Sequence, residues 1–266
     1  MSSDASEEIP VRVERRGRIG ILTIDRPQRV NSLSRATLYA LGKHGAELVA
    51  DADVRAIIVT GSGDKAFCAG ADLKERKGMS LDDTRVQVGL YKSQLGVLDE
   101  SPKPVVAAIN GVALGGGLEL AMVCDLRVAA AHAKLGLPET GLGIIPGAGG
   151  TQRLPRLIGE GRATEMICLN RRLTAAEALE WGLVNRFVPE GEDVLEHCIA
   201  WLDPVANGAP IAQSAALRAI RTSYEVPLCH GLDLESVYYD ETLRSRDRLE
   251  ALAAFAEKRK PQFEGA

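Results

Sequence analysis

The feature that most restricts how this chain can fold is a recurring order of segments: strand, strand, helix. Residues 11–14 alternate and IGILTI at 19–24 is almost wholly apolar, which predicts two strands turned at Arg16-Gly17, the second ended by Pro27. Over residues 34–49 the apolar positions Leu38, Leu41, Leu48 and Val49, with small residues between, predict a helix capped by Ser34. VRAIIVT at 54–60 then reads as a buried strand. The order returns with predicted strands at 105–109, 126–129 and 135–137 and helices at 116–122 and 149–158. No fixed sequence period accompanies it, so the repetition is architectural.

Thr174-Ala-Ala-Glu177 has the form of a capping box, in which hydroxyl and carboxylate each satisfy an orphan N–H, and Gly182 can end the short helix it opens. A last strand is expected at 183–188. Beyond Asp203-Pro204 the pattern is helical alone, over 210–223, 232–244 and 246–258. The predicted fold class is therefore α/β, with a strand-rich core over 1–203 and a helical region over 204–266. Leu249, Leu252, Ala253, Phe255 and Ala256 give that region an apolar face that needs burial, against the core or another subunit.

Within 107–151 only two glutamates occur, Glu119 and Glu139, each in apolar, glycine-broken surroundings. Either they are satisfied structural acids, or burial lifts a carboxyl pKa from about 4.3 toward neutrality, so that one group holds a proton while the other accepts one. Gly115-Gly116-Gly117 would open the helix that carries Glu119. Three glycines there fit tight helix packing, or a close backbone approach to a ligand held by the unpaired N–H groups of a first helical turn. Phe67-Cys-Ala-Gly-Ala-Asp72 and Ile145-Pro-Gly-Ala-Gly-Gly150 offer similar small-residue turns, and a plain turn accounts for each equally well. None of the three matches the dinucleotide or P-loop pattern, which argues against nucleotide redox chemistry and phosphoryl transfer.

Composition removes other classes. The net charge of -4 supplies no field to gather nucleic acid or an anionic membrane. No run approaches eighteen apolar residues, and MSSDASEEIP at the start is acidic and polar, so no targeting or spanning segment is read and a cytoplasmic location is expected. Cys68, Cys124, Cys168, Cys198 and Cys229 are scattered and expected as thiols, and the four histidines show no metal-ligand spacing, so no metal is assigned. Two acids with an anion-holding backbone, and no metal, covalent nucleophile or redox cofactor, suit proton transfer or hydration beside a thioester carbonyl.

The strings AFCAGADLKER (66–76), NGVALGGGLELAMVCD (110–125), PETGLGIIPGAGGTQRLPRLIG (138–159) and AFAEKRKPQF (254–263) together resemble the enoyl-CoA hydratase (crotonase) superfamily, in order and over nearly the whole chain. The resemblance implies a spiral of strand-strand-helix turns with a C-terminal helical trimerisation region, assembled as trimers or paired trimers. It implies oxyanion-hole N–H donors at Ala71 and Gly116, catalytic acids at Glu119 and Glu139, and a backbone near the reacting water at Gly147. It also implies coenzyme A contacts at Ala69, Leu73 and Lys74, with Phe255 and Lys258 reaching a neighbour's coenzyme A. Coenzyme A would be part of the acyl-CoA substrate, with no separate cofactor. Both family acids are present, which weakens an isomerase, dehalogenase or decarboxylase reading.

Within the superfamily, AGADLKERKGM and EKRKPQF most resemble 3-methylglutaconyl-CoA hydratases, whose substrate carries a free carboxylate. Lys74, Arg76, Lys77 and Arg85 are candidate partners for it, although such basic loops can equally be solvated or face coenzyme A phosphate. The rival reading is a short-chain enoyl-CoA hydratase. A rival of another class is RNA binding on the same scaffold, because relatives of this type are described as RNA binders through a comb of lysines. Arg35, Tyr39 and Lys43 share that spacing on one helix face, but the middle charge is missing, so weak, salt-sensitive binding is the most expected.

Overall fold

A computed structural model describes residues 9–266; the acidic segment at 1–8, read above as free of targeting features, lies outside the described residues. Strands β1 (Val11–Arg16) and β2 (Ile19–Ile24) form an antiparallel hairpin, and Gly17 at φ 59° makes the turn. Helix α1 (Arg35–Ala50) begins where Ser34 accepts from Thr37 N–H, and β3 (Ala56–Gly61) returns buried along its whole length. After it come β4 (Ala66–Cys68), the single turn α2 (Leu73–Arg76), α3 (Leu81–Asp99), β5 (Val105–Ile109) and β6 (Val112–Leu114). Helix α4 (Gly116–Val123), β7 (Leu126–Ala130), β8 (Lys134–Gly136), a 3-10 turn (Glu139–Leu142) and α5 (Gly150–Ile158) complete the second cycle. Helix α6 (Glu160–Cys168) and β9 (Arg172–Thr174) lead to α7 (Ala175–Glu180), whose capping box forms with both hydrogen bonds, and Gly182 at φ 80° follows its end.

The remaining elements are β10 (Arg186–Val188), α8 (Val194–Trp201), the short α9 (Asp203–Ala206), α10 (Pro210–Thr222), α11 (Leu228–Leu243) and α12 (Arg246–Glu257). Two sheets result. One runs β1-β2-β3-β5-β7-β10, parallel after the first hairpin, and the other runs β4-β6-β8-β9 with only its last pair antiparallel. Alternation along β3 sends Ile57 and Val59 into the larger core with Phe67, Leu118 and Leu135, and Ile58 into a second core with Val106, Val128 and Cys198. A parallel sheet covered on both faces needs such continuous apolar strands.

Sequence periodicity passes over α3, and the reason is visible in its buried face. Gln87, Tyr91, Leu95 and Leu98 point inward while Leu81 and Val86 are exposed, so polar groups interrupt the apolar stripe and Gly89 and Gly96 weaken the helical signal further. Helices α6 and α8 and the three-residue strands β4, β6 and β9 are also absent from the sequence reading; strands so short hold no measurable period. Helix α11 starts four residues earlier than the predicted 232. Among the described residues no helix is long and apolar enough to cross a membrane.

Candidate active site

The segment 69–72 is laid along the segment 30–33 by backbone pairing. Ala69 N donates to Val30 O (3.1 Å), Leu33 N to Gly70 O (2.8 Å) and Asp72 N to Leu33 O (3.2 Å). Because Leu33 bonds the residues on either side of Ala71, the N–H and C=O of Ala71 face the opposite way, toward a cavity that Ala71 lines. Asp72 fixes the far end. Its carboxylate caps α2 through Lys74 N and Glu75 N and forms a buried ion pair with Arg26 (3.1 Å), which itself donates to Ser32 O (2.8 Å). The N–H bonds and the guanidinium together hold the Asp72 carboxyl below its ordinary range, against the opposing effect of burial.

The glycine triplet serves the tight packing that its sequence allowed. A Cβ on Gly117 would lie 2.0 Å from Cys68 O, so α4 packs on β4 at a distance only glycine permits. A Cβ on Gly70 (φ 88°) would lie 2.7 Å from Leu114 O and 3.0 Å from Gly116 N, which brings the 70–71 turn against the start of α4. Gly116 is the first residue of α4, and the N–H groups of a first turn have no partner within the helix. The N–H groups of Ala71 and Gly116 thus belong to two adjoining backbone turns that line the cavity.

Glu119, one turn along α4, is 2% exposed, and its Oε1 accepts from Ala148 N (2.7 Å) and Gly150 N (2.8 Å). Burial raises its pKa; these two bonds, and Arg153 nearby, oppose the rise by favouring the charged form. Glu139 is also buried, but its Oε2 has no hydrogen-bond partner among the described residues. Burial, aided by the charge of Glu119, pushes the Glu139 carboxyl up to about 7, while its own backbone N–H and Arg76 pull the other way. Both carboxyls of the cavity are therefore raised by burial, but in different settings: Glu119 is gripped by two N–H donors, and Glu139 keeps a proton near neutral pH.

The cavity is about 570 Å³. Of the residues singled out from the sequence it brings together Ala69, Ala71, Leu73, Gly116, Glu119, Glu139 and Gly147. Lys74, Phe255 and Lys258 lie outside its lining; Lys74 is on the turn beside it, and Phe255 and Lys258 are exposed at the end of α12. Of the four basic candidates only Arg76 lines it, and Arg85 pairs with Asp82 (2.7 Å) on the surface. On the face of α1 weighed for RNA, Arg35 is paired with Asp83 (3.2 Å). Sequence reasoning missed Ala148 and Gly150 as donors to Glu119, and Gln87, Val88 and Tyr91 of α3 as one wall. The IPGAGG motif flagged the first; nothing local marked the second.

Residues 14–266 match the enoyl-CoA hydratase/isomerase family. A Bacillus subtilis protein named for that family, YngF, is 48% identical over 247 residues, covering 93% of this chain and 95% of its own. The mitochondrial methylglutaconyl-CoA hydratase of Homo sapiens is 42% identical over 272 residues, covering 99% of this chain and 80% of its own. The crystal structure of enoyl-CoA hydratase from Bacillus anthracis superposes with a TM-score of 0.94 at 45% identity, covering 97% of this chain and all of that one. The expected α/β fold of the crotonase type, with its C-terminal helices, is thereby shown.

Proposed function

The chain belongs to the enoyl-CoA hydratase/isomerase family, and from that premise we propose that it is a hydro-lyase interconverting 3-methylglutaconyl-CoA and 3-hydroxy-3-methylglutaryl-CoA. The observation that carries the hydratase part is the pair of cavity carboxylates in opposite hydrogen-bond settings. The thioester oxygen accepts from the N–H groups of Ala71 and Gly116, which polarises the carbonyl and stabilises the charge that collects on oxygen as water adds at Cβ. Glu119, whose charged form the N–H groups of Ala148 and Gly150 favour, takes a proton from the water as its oxygen bonds to Cβ. Glu139, protonated near neutrality, delivers a proton to Cα. One water is consumed, and the two acids are reset by proton exchange with solvent. Gly147, immediately before Ala148 in the cavity lining, contributes backbone next to the attacking water.

Arg76 supports the carboxylated acyl group. Among the described residues it is the one lysine or arginine in the cavity lining, and no carboxylate or carbonyl of theirs accepts from its guanidinium. An uncharged short-chain enoyl-CoA is the second reading, favoured by the apolar wall of Val88, Leu142, Ile144 and Ile145. Turnover of crotonyl-CoA against 3-methylglutaconyl-CoA separates them: the proposal expects the larger kcat/KM for the carboxylated ester, and the reverse order would overturn it.

Assembly as a trimer or hexamer is supported by the surface of α12, where Leu249, Leu252 and Phe255 are 61%, 56% and 85% exposed in a single chain. In that assembly Phe255 and Lys258 reach the coenzyme A of a neighbour, alongside Ala69, Leu73 and Lys74 of the chain that binds it. Sedimentation that finds only a monomer, with full activity, would refute this arrangement. RNA binding has no support beyond the helix spacing, and an electrophoretic shift at physiological salt tests it directly.

A further inference from the structure

Tyr91 lies on the wall of the cavity that the function above does not use. It is 6% exposed, lines the cavity, and its hydroxyl oxygen has no hydrogen-bond partner among the described residues. Its ring edge is seated against α4: a Cβ on Gly116 would lie 3.0 Å from Tyr91 Cε1 and 3.5 Å from Tyr91 Oη. Ring and backbone therefore fix where the hydroxyl sits, while no described residue engages it. A buried hydroxyl left without a partner is costly, so such a group points to a ligand that supplies one.

What that ligand group must be follows from the neighbours. Arg76 is close enough to act electrostatically on both Tyr91 and Glu139, and its guanidinium is a donor only. Glu75, the acid beside it on α2, is occupied: it accepts from Arg35 N (3.1 Å) and Gln87 Nε2 (3.3 Å). Burial, with the carboxylates Glu119 and Glu75 nearby, drives the phenol pKa upward, so Tyr91 keeps its proton and acts as a donor at any working pH. A cationic fork and a neutral O–H donor lining one cavity match an anion with two acceptor oxygens.

Resting on the reading of the cavity as an acyl-CoA site, we propose that Tyr91 is a specificity-determining residue whose hydroxyl, together with Arg76, receives a carboxylate at the acyl end of the thioester. Cavity, seat and donor pair define the class: short acyl-CoA esters carrying a second, free carboxyl group. The hydroxyl donates to one carboxylate oxygen and Arg76 to the other, so the buried hydroxyl gains a partner when such a substrate is bound. An uncharged acyl chain would cover the same donors without pairing them, and rejection of that kind is stronger than a hydrophobic wall can supply.

The test is calorimetric titration of the full chain with two saturated, unreactive probes, glutaryl-CoA and pentanoyl-CoA. The wild type should bind glutaryl-CoA more tightly, and Tyr91→Phe, which keeps the ring against Gly116, should cut the glutaryl-to-pentanoyl affinity ratio about 10-fold or more, as expected for one hydrogen bond to a charged group. Arg76→Gln, at a part-exposed position on α2, should cut the same ratio and serves if the tyrosine variant folds poorly. A Tyr91→Phe protein with the wild-type ratio overturns the role of Tyr91. A wild type that binds both probes without preferring glutaryl-CoA overturns carboxylate recognition and leaves the acyl-CoA reading intact. Binding of neither probe defeats that underlying reading itself.

Discussion

Gly150→Ala probes the grip on Glu119 without touching the acid. Its new Cβ would lie 2.8 Å from Pro146 Cβ, 2.9 Å from Glu119 Oε1 and 3.0 Å from Leu137 Cδ1. The proline and leucine bound the site on two sides, so the turn has to shift, carrying the N–H groups of Ala148 and residue 150 off the carboxylate they now meet at 2.7 and 2.8 Å. A hydrogen bond to a charged group contributes about 1.5–3 kcal/mol, and one pKa unit is worth about 1.4 kcal/mol. Losing one of the two bonds should therefore raise the Glu119 pKa further. The sign is fixed, because these bonds favour the charged form: the acidic limb of the kcat/KM profile moves to higher pH. The assay is disappearance of the conjugated thioester absorbance between about pH 5 and 10, with thermal unfolding to record the cost of crowding, about 1–3 kcal/mol. Gly161→Ala on α6, where a Cβ meets nothing within 4 Å, is the control. A folded Gly150→Ala enzyme whose acidic limb coincides with that of the wild type would refute the assignment of these N–H groups.

Glu119→Gln and Glu139→Gln should each lower kcat by roughly 10²–10⁴ with little change in acyl-CoA affinity, and near-normal turnover by either would remove that residue from the mechanism. The same Glu139→Gln protein should be more stable above neutral pH. The folded carboxyl titrates at about 7 while an unfolded one titrates near 4.5, so ionisation favours the unfolded chain progressively across that window, and stability is lost as pH rises through it. Discounting for solvent that reaches the cavity, the amide should recover about 1–2 kcal/mol at pH about 8 and none at pH about 4, read by denaturant melts. Equal gains at both values would contradict the raised pKa. Gly116→Pro removes one N–H at the first position of α4, where proline geometry suits a helix, although the ring would crowd Tyr91 Cε1 at 3.0 Å. A loss on the order of 10²–10³ in kcat is expected, and a folded variant at full rate would show that Gly116 is not the donor.

Much of the molecule is settled within a few residues of chain. Ser34 bonding Thr37, Thr174 exchanging bonds with Glu177, and Gly17 and Gly182 at positive φ are interactions inside one turn, so the residue types alone announce them. Apolar runs such as 56–61 need a core on both faces wherever they lie. The family strings and the two isolated acids were likewise readable, because catalytic groups in apolar surroundings stand out against what burial normally selects.

The chemistry of those acids is settled elsewhere. Glu119 and the N–H groups that hold it are about thirty positions apart, and only the packing of α4 against the start of α5 joins them. Glu139 is unlike Glu119 because one of its oxygens ends in a cavity without a donor, a fact about the space around it and not about its neighbours in sequence. Tyr91 is the sharpest case: on the chain it is one aromatic residue in a weakly periodic helix, and its position beside Gly116 makes it a free hydroxyl on a cavity wall. Local hydrogen bonding and apolar pattern are short-ranged and so are carried by the sequence, whereas desolvation and the meeting of distant polar groups depend on which surfaces close on one another, and that only the tertiary structure decided.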